Sequence, residues 1–90
     1  MYEIFASTKF KKDLKTIIKR GYDSALLDVV VSELALGNQL NERYLDHELM
    51  GKYSGCRECH IAPDWLLVYR IEDNNLMLFL TRTGTHSDLF

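Results

Sequence analysis

The sequence predicts an α+β fold in which an N-terminal strand and two helices pack on one face of a small, antiparallel-rich sheet. Three observations point to it. A short apolar and aromatic run opens the chain, two stretches of helical period follow before Gly37, and beyond Ser54 the pattern becomes strand-like, divided by strong turn sequences. Ninety residues with 47% hydrophobic content suffice for one domain, residues 1–90, built around one core.

Residues 2–5, Tyr-Glu-Ile-Phe, form the first predicted strand. Ser7 or Thr8 then supplies a helix N-cap, and Phe10, Leu14, Ile17 and Ile18 recur at helical spacing while lysines fill the other positions. Gly21 stops this first helix. The second begins near Asp23 or Ser24, runs through Leu26, Leu27, Val30, Val31 and Leu34, and ends at Gly37-Asn38. Val29-Val30-Val31 lowers its helix propensity, but both ends carry cap signals. Residues 39–54 are polar and predicted to be irregular; they include His47. Residues 55–62, 66–71 and 76–81 then form an antiparallel meander, joined by Pro63-Asp64 and by Glu72-Asp73-Asn74-Asn75.

A net charge of −2 argues against a protein that coats nucleic acid, which would carry a large basic excess. The distribution says more than the total. Six of the eleven Lys and Arg residues (Lys9, Lys11, Lys12, Lys15, Lys19 and Arg20) fall on the first helix, with Asp13 the only acid among them. No apolar stretch approaches the roughly 20 residues that span a bilayer, and the N-terminus lacks the basic flank of an export signal, so a cytoplasmic protein with no membrane partner is predicted.

Cys56-Arg57-Glu58-Cys59-His60 spells C-x-x-C-H, the pattern of c-type haem attachment. On a strand, however, Cys56, Glu58 and His60 share one face while Arg57, Cys59 and Ile61 share the other, so the two thiols point apart. Neither haem, nor zinc, nor a disulfide is predicted, and no second cysteine pair exists to complete a tetrahedral zinc set. Cys59 suits a small buried apolar position.

The three histidines all fall at turns or strand ends: His47 after Asp46, His60 ahead of Ile61-Ala62-Pro63-Asp64, and His86 after Arg82-Thr83-Gly84-Thr85. Strand alternation places Glu58 beside His60, flanked by the turn carrying Asp64, although Asp64 also suits that turn for its backbone hydrogen bonding alone. If the last strand brings Arg82 and His86 to the same end of the sheet, then base, acid and cation share one cleft. That set suits phosphodiester cleavage without a metal or other cofactor.

Three segments carry a family resemblance: Tyr44-Leu45-Asp46-His47-Glu48-Leu49, the run from Gly55-Cys56-Arg57-Glu58-Cys59-His60 through Ile61-Ala62-Pro63-Asp64-Trp65-Leu66-Leu67-Val68-Tyr69, and Arg82-Thr83-Gly84-Thr85-His86-Ser87-Asp88-Leu89-Phe90. With the order strand, two helices, three strands, the chain resembles bacterial toxins of the RelE/ParE superfamily, closest to the YafQ type, over essentially its whole length. The resemblance implies a ribosome-dependent mRNA endonuclease neutralised by a cognate antitoxin, with mRNA and the ribosome's 16S rRNA as further partners. It associates the positions of His47, His60, Asp64 and His86 with cleavage, and those of Arg82 and Phe90 with phosphate or base contacts. Glu58 occupies an acidic position of the family pattern.

On that basis the ribose 2′-hydroxyl is the nucleophile. His60 or His47, tuned by Glu58 or Asp64, is the expected general base and His86 the general acid, and the two roles are exchangeable. The planar fork of Arg82 suits a phosphate clamp. Phe90 suits stacking on an unpaired base, a contact worth about 1–3 kcal/mol. Lys11, Lys12, Lys15 and Lys52 are expected to meet RNA phosphates. Two alternatives act by binding alone: a ParE-like toxin that inhibits gyrase, and a module that only grips its antitoxin.

Overall fold

The computed structural model describes residues 1–90. Strand β1 (Glu3–Ala6) leads into α1 (Thr8–Lys19) and α2 (Ser24–Ala35), followed by β2 (His47–Glu48), β3 (Arg57–Ala62), β4 (Trp65–Glu72), β5 (Met77–Gly84) and a terminal turn of helix, α3 (His86–Leu89). The five strands lie in the order β1-β5-β4-β3-β2, with β1 parallel to β5 and every other pair antiparallel. The predicted α+β architecture is present.

Both long helices are capped as their sequences dictate. The Ser7 side chain accepts from the Phe10 amide at 2.9 Å and that of Asp23 from Ala25 at 3.0 Å, each satisfying a donor that a helix start leaves unpaired. Gly21 and Gly37 follow the two helices at φ +94° and +80°, where a side chain would be strained. Phe10 and Ile17 from α1 join Leu27, Val30, Leu34 and Ala35 from α2 over Cys59, Ile61, Trp65, Leu67, Tyr69, Leu78 and Leu80 of the sheet. Ile18 and Leu26, expected on the buried stripes, are instead about half exposed.

The opposite face of the sheet carries a smaller cluster of Tyr53, Leu66, Val68 and Leu89, with Cys56 packed against it. The two cysteines thus belong to different layers, and burial raises the Cys59 thiol to about 12, which suits packing and not reactivity.

Three boundaries differ from the sequence expectation, and each matters for the site. The predicted irregular segment contains β2, a two-residue edge strand whose stability comes from pairing with β3 and not from its own composition. β5 runs to Gly84, three residues beyond the predicted end, so Arg82 is a strand residue. His86, expected at a turn or strand end, opens α3, a turn of helix not among the predicted elements, which is held by a reciprocal capping box between Thr85 and Asp88.

A bulge decides where Arg82 points. Val68 pairs with Arg82 but Tyr69 pairs with Leu80, leaving Thr81 as an extra residue on β5. Simple alternation from Leu78 and Leu80 would send Arg82 into the helix-covered core; the extra residue shifts the parity and sends Thr83 there instead. Thr83 is buried, accepts from the Trp65 indole at 2.8 Å and donates to the Leu66 carbonyl at 2.7 Å, so this inward hydroxyl is fully bonded.

Leu67 is fully buried on the central strand. Leu67→Ala is expected to lower unfolding free energy by about 2–5 kcal/mol in urea titrations, and a loss below about 1 kcal/mol would contradict the packing described.

Candidate functional site

The sheet register assembles one row of side chains across four strands. His47 on β2 lies opposite Glu58 on β3, Glu58 opposite Val68 on β4, and Val68 opposite Arg82 on β5. Residues paired in this way share a face, and with strands about 4.8 Å apart the row spans roughly 14 Å from His47 to Arg82. A second row pairs His60 with Leu66 and Leu66 with Gly84, immediately before α3.

Glu58 is the junction of one end. Its side chain is buried, and Oε1 lies 3.8 Å from Nε2 of both His47 and His60. Each imidazole is fixed from behind by a carbonyl: Leu45 O is 2.7 Å from His47 Nδ1 and Pro63 O is 3.4 Å from His60 Nδ1. One buried carboxylate thus faces two exposed or half-exposed imidazoles.

At the other end, Arg82 is gripped by Asp13 of α1 through Nε at 2.6 Å and Nη2 at 3.0 Å. Its remaining amino group points to the Tyr53 hydroxyl at 3.4 Å. The fork expected to clamp phosphate is therefore occupied within the chain, and only the Nη1 edge is directed along the surface. Asp13 also accepts from the Thr83 amide at 3.2 Å, satisfying a donor on the part of β5 that β1 does not cover. This pairing raises the Arg82 pKa further, so the group is permanently cationic.

Tyr53 connects that cation to the C-terminal end. Phe90 meets the Tyr53 ring edge-on at 5.5 Å and stacks with the His86 ring at 5.0 Å. Phe90 remains 54% exposed, so a free aromatic surface is left beside His86. Gly84 gives α3 room to approach: a Cβ there would lie 3.0 Å from Asp88 Cβ and Oδ2, so the Asp88 side chain would have to give by a few tenths of an ångström.

Helix α1 anchors this half of the site at successive turns. Beyond Asp13, Arg20 holds Asp88 with contacts of 2.6 and 3.2 Å, and Tyr22, just past the helix, donates to Asp64 at 2.6 Å. That hydrogen bond raises the Tyr22 pKa, keeping it a phenol donor. Asp64, expected to tune an imidazole, is thus held by Tyr22, and the acidic partner of both nearby histidines is Glu58. Lys11, Lys12 and Lys15 are exposed on α1, and Lys52 is exposed with its ammonium 5.3 Å above the Tyr53 ring.

Sequence reasoning missed Asp13, Arg20, Tyr22 and Tyr53. Only Asp13 carried a signal, as the lone acid in a lysine-rich helix; the other three are recognisable only through contacts distant in sequence.

Residues 2–90 match the family described as "Bacterial toxin of type II toxin-antitoxin system, YafQ". The chain is 38% identical over 90 residues to the mRNA interferase toxin YafQ of Escherichia coli K12, covering 98% of this chain and 95% of that protein. Among solved structures it resembles a metal-bound toxin from Helicobacter pylori (49% identity, TM-score 0.92, all of both chains) and the toxin of the Escherichia coli DinJ-YafQ complex (36% identity, TM-score 0.91, 100% and 99% of the two chains).

Asp88 makes the docking of α3 pH-dependent. The Arg20 guanidinium, then the Thr85 amide, lower its carboxyl from 3.8 to about 2. With a depressed folded value, the stabilisation is complete above 3.8 and is lost as pH falls through about 2. Amide chemical shifts of Leu89 and Phe90 in wild type should hold their docked values down to that range, whereas Asp88→Asn should displace them already at neutral pH; identical shifts in the two proteins would contradict the anchor.

Proposed function

The chain belongs to the YafQ family of toxins from type II toxin-antitoxin systems, and from that premise we propose that residues 1–90 form one toxin domain acting as an mRNA endoribonuclease, restrained by a cognate antitoxin. The observation that carries this is the arrangement of the row: a carboxylate shared by two imidazoles at one end, and a cation with a histidine-aromatic stack at the other. The Escherichia coli relative is an mRNA interferase toxin, and DinJ-YafQ is a toxin-antitoxin complex. A gyrase-binding toxin of the ParE class is not favoured, since the matching proteins are YafQ toxins and binding alone needs no acid and base. No helix is long and apolar enough to cross a membrane.

In the reaction proposed, His60 or His47 removes the 2′-hydroxyl proton, with Glu58 stabilising the imidazolium that forms. The 2′-oxygen attacks the adjacent phosphorus, Arg82 Nη1 donates to a phosphoryl oxygen, and His86 delivers a proton to the departing 5′-oxygen. The products are a 2′,3′-cyclic phosphate and a 5′-hydroxyl. Phe90 stacks on an unpaired base, and Asp64 orders the turn that positions His60. Binding of the ribosome falls to the basic face of α1, with Lys11, Lys12 and Lys15, and to Lys52. The steps above use protein groups throughout.

The deciding experiment is cleavage of a defined mRNA in EDTA, with and without translating ribosomes. Wild type is expected to cut and leave cyclic or 3′-phosphate ends, whereas His60→Ala and His86→Ala lose roughly 100-fold or more in rate while binding antitoxin normally. Full toxicity in both variants would overturn the catalytic reading in favour of a binding toxin. Replacing Lys11, Lys12 and Lys15 by Ala should flatten the salt dependence of ribosome affinity, by a slope of about 0.7–0.9 per phosphate contact removed; an unchanged slope would take α1 out of the interface.

A further inference from the structure

His47 stands on the shortest strand of the sheet. β2 has two residues, lies at the edge and pairs only with β3. On so short a strand few contacts set the register, and a slip of one residue would carry His47 to the helix-covered face, away from Glu58. The preceding residue, Asp46, supplies a contact that opposes this slip.

Alternation along residues 46–48 sends His47 to the open face and its two neighbours to the helix-covered one. There the Asp46 carboxylate, 22% exposed, accepts from the Tyr69 hydroxyl at 2.7 Å. It also accepts from Arg57 Nε, which lies 3.3 Å from Oδ1 and 3.4 Å from Oδ2. Arg57 and Tyr69 are paired across β3 and β4, and Tyr69 belongs to the core beneath the helices. The tether therefore runs from a buried ring on the central strand, across β3, to the residue beside His47. Burial, then the hydrogen bond with Asp46, raises the Tyr69 pKa, so it stays a phenol donor.

Arg57 reaches the other neighbour as well, with Nη1 3.7 Å from Glu48 Oε1. On the open face His47 is restrained locally: Leu45, in the left-handed conformation at φ 52°, presents its carbonyl to Nδ1 at 2.7 Å. That contact orients the ring within its own segment, whereas the Asp46 contacts tie the segment to the rest of the sheet. The steps proposed above give Asp46, Arg57 and Tyr69 no task.

We propose that Asp46 is the positioning residue of His47: its carboxylate, bonded to Tyr69 and Arg57 on the inner face of the sheet, locks β2 in the register that turns the imidazole toward Glu58. The inference rests on the endoribonuclease reading above and deepens it by naming what holds one of its histidines.

The test is a double-mutant cycle on mRNA cleavage, read beside an NMR contact that needs no substrate. Asp46→Ala is expected to lower kcat about 10- to 100-fold with KM little changed, since a misplacement of about 1 Å suffices for such a loss. In a His47→Ala background the same substitution should cause no further loss, because the imidazole it positions is gone. Asp46→Asn, whose amide oxygen still accepts from Tyr69, should recover most of the rate. The nuclear Overhauser contact between the His47 ring and the Glu58 side chain should appear in wild type and in Asp46→Asn and vanish in Asp46→Ala. Wild-type kcat in Asp46→Ala, a loss that adds to that of His47→Ala, or a His47–Glu58 contact that survives in Asp46→Ala overturns the proposal. Should Asp46→Ala not fold, Tyr69→Phe, which removes the hydroxyl alone, is read in the same way. Failure of the underlying reading is distinguishable: wild type would then cut no RNA, while the Overhauser contact would still report the register.

Discussion

The Asp13 carboxylate ties the helical layer to the working face of the sheet. Past the end of β1, β5 would run as an open edge with an unpaired amide at Thr83 and an unfettered arginine at Arg82. Asp13 answers both at once, accepting from the Thr83 amide and from two nitrogens of the guanidinium. Removing one partner of a buried pair costs about 3–5 kcal/mol, because the other charge is then left uncompensated. Arg82 and Asp13 are each less than one-fifth exposed, so the pair stands nearer to that limit than to a surface salt bridge.

The geometry of the site follows from this attachment. With Arg82 immobilised, its one outward nitrogen meets Tyr53, and Tyr53 in turn supports the ring of Phe90. A four-residue helix such as α3 has no stability of its own. It is ordered by Arg20, by its capping box and by the burial of Leu89 against Leu66 and Val68. His86 and Phe90 therefore owe their positions to α1 and the sheet, and the histidine proposed as acid is placed as firmly as the strand residues at the other end.

The two ends are built on different principles. His47 and His60 converge on Glu58 through strand pairing, since each of the three sits on an adjacent strand or two positions apart on the same one. The Arg82 end depends on side-chain contacts between residues 68 to 70 positions apart in the chain. Rigid backbone thus sets the two imidazoles around Glu58, and tertiary ion pairs set Arg82, His86 and Phe90.

Periodicity and cap residues were enough to establish the two helices, the meander and the layer order, because those signals are local: Ser7 and Asp23 bond their own helix starts, and Gly21 and Gly37 end them. Alternation likewise placed Glu58 with His60 and set Cys56 and Cys59 apart. Local signals could not reveal β2, since two residues become a strand only when β3 presents its edge. The Thr81 bulge was equally hidden, because nothing in Thr81-Arg82-Thr83 marks the extra residue that turns Arg82 away from the core. The partners of Asp64 and Arg82 are Tyr22, just past α1, Asp13 of α1 and Tyr53, all far away in sequence, and only the packed chain brings those carboxylates, hydroxyls and cations within hydrogen-bonding reach.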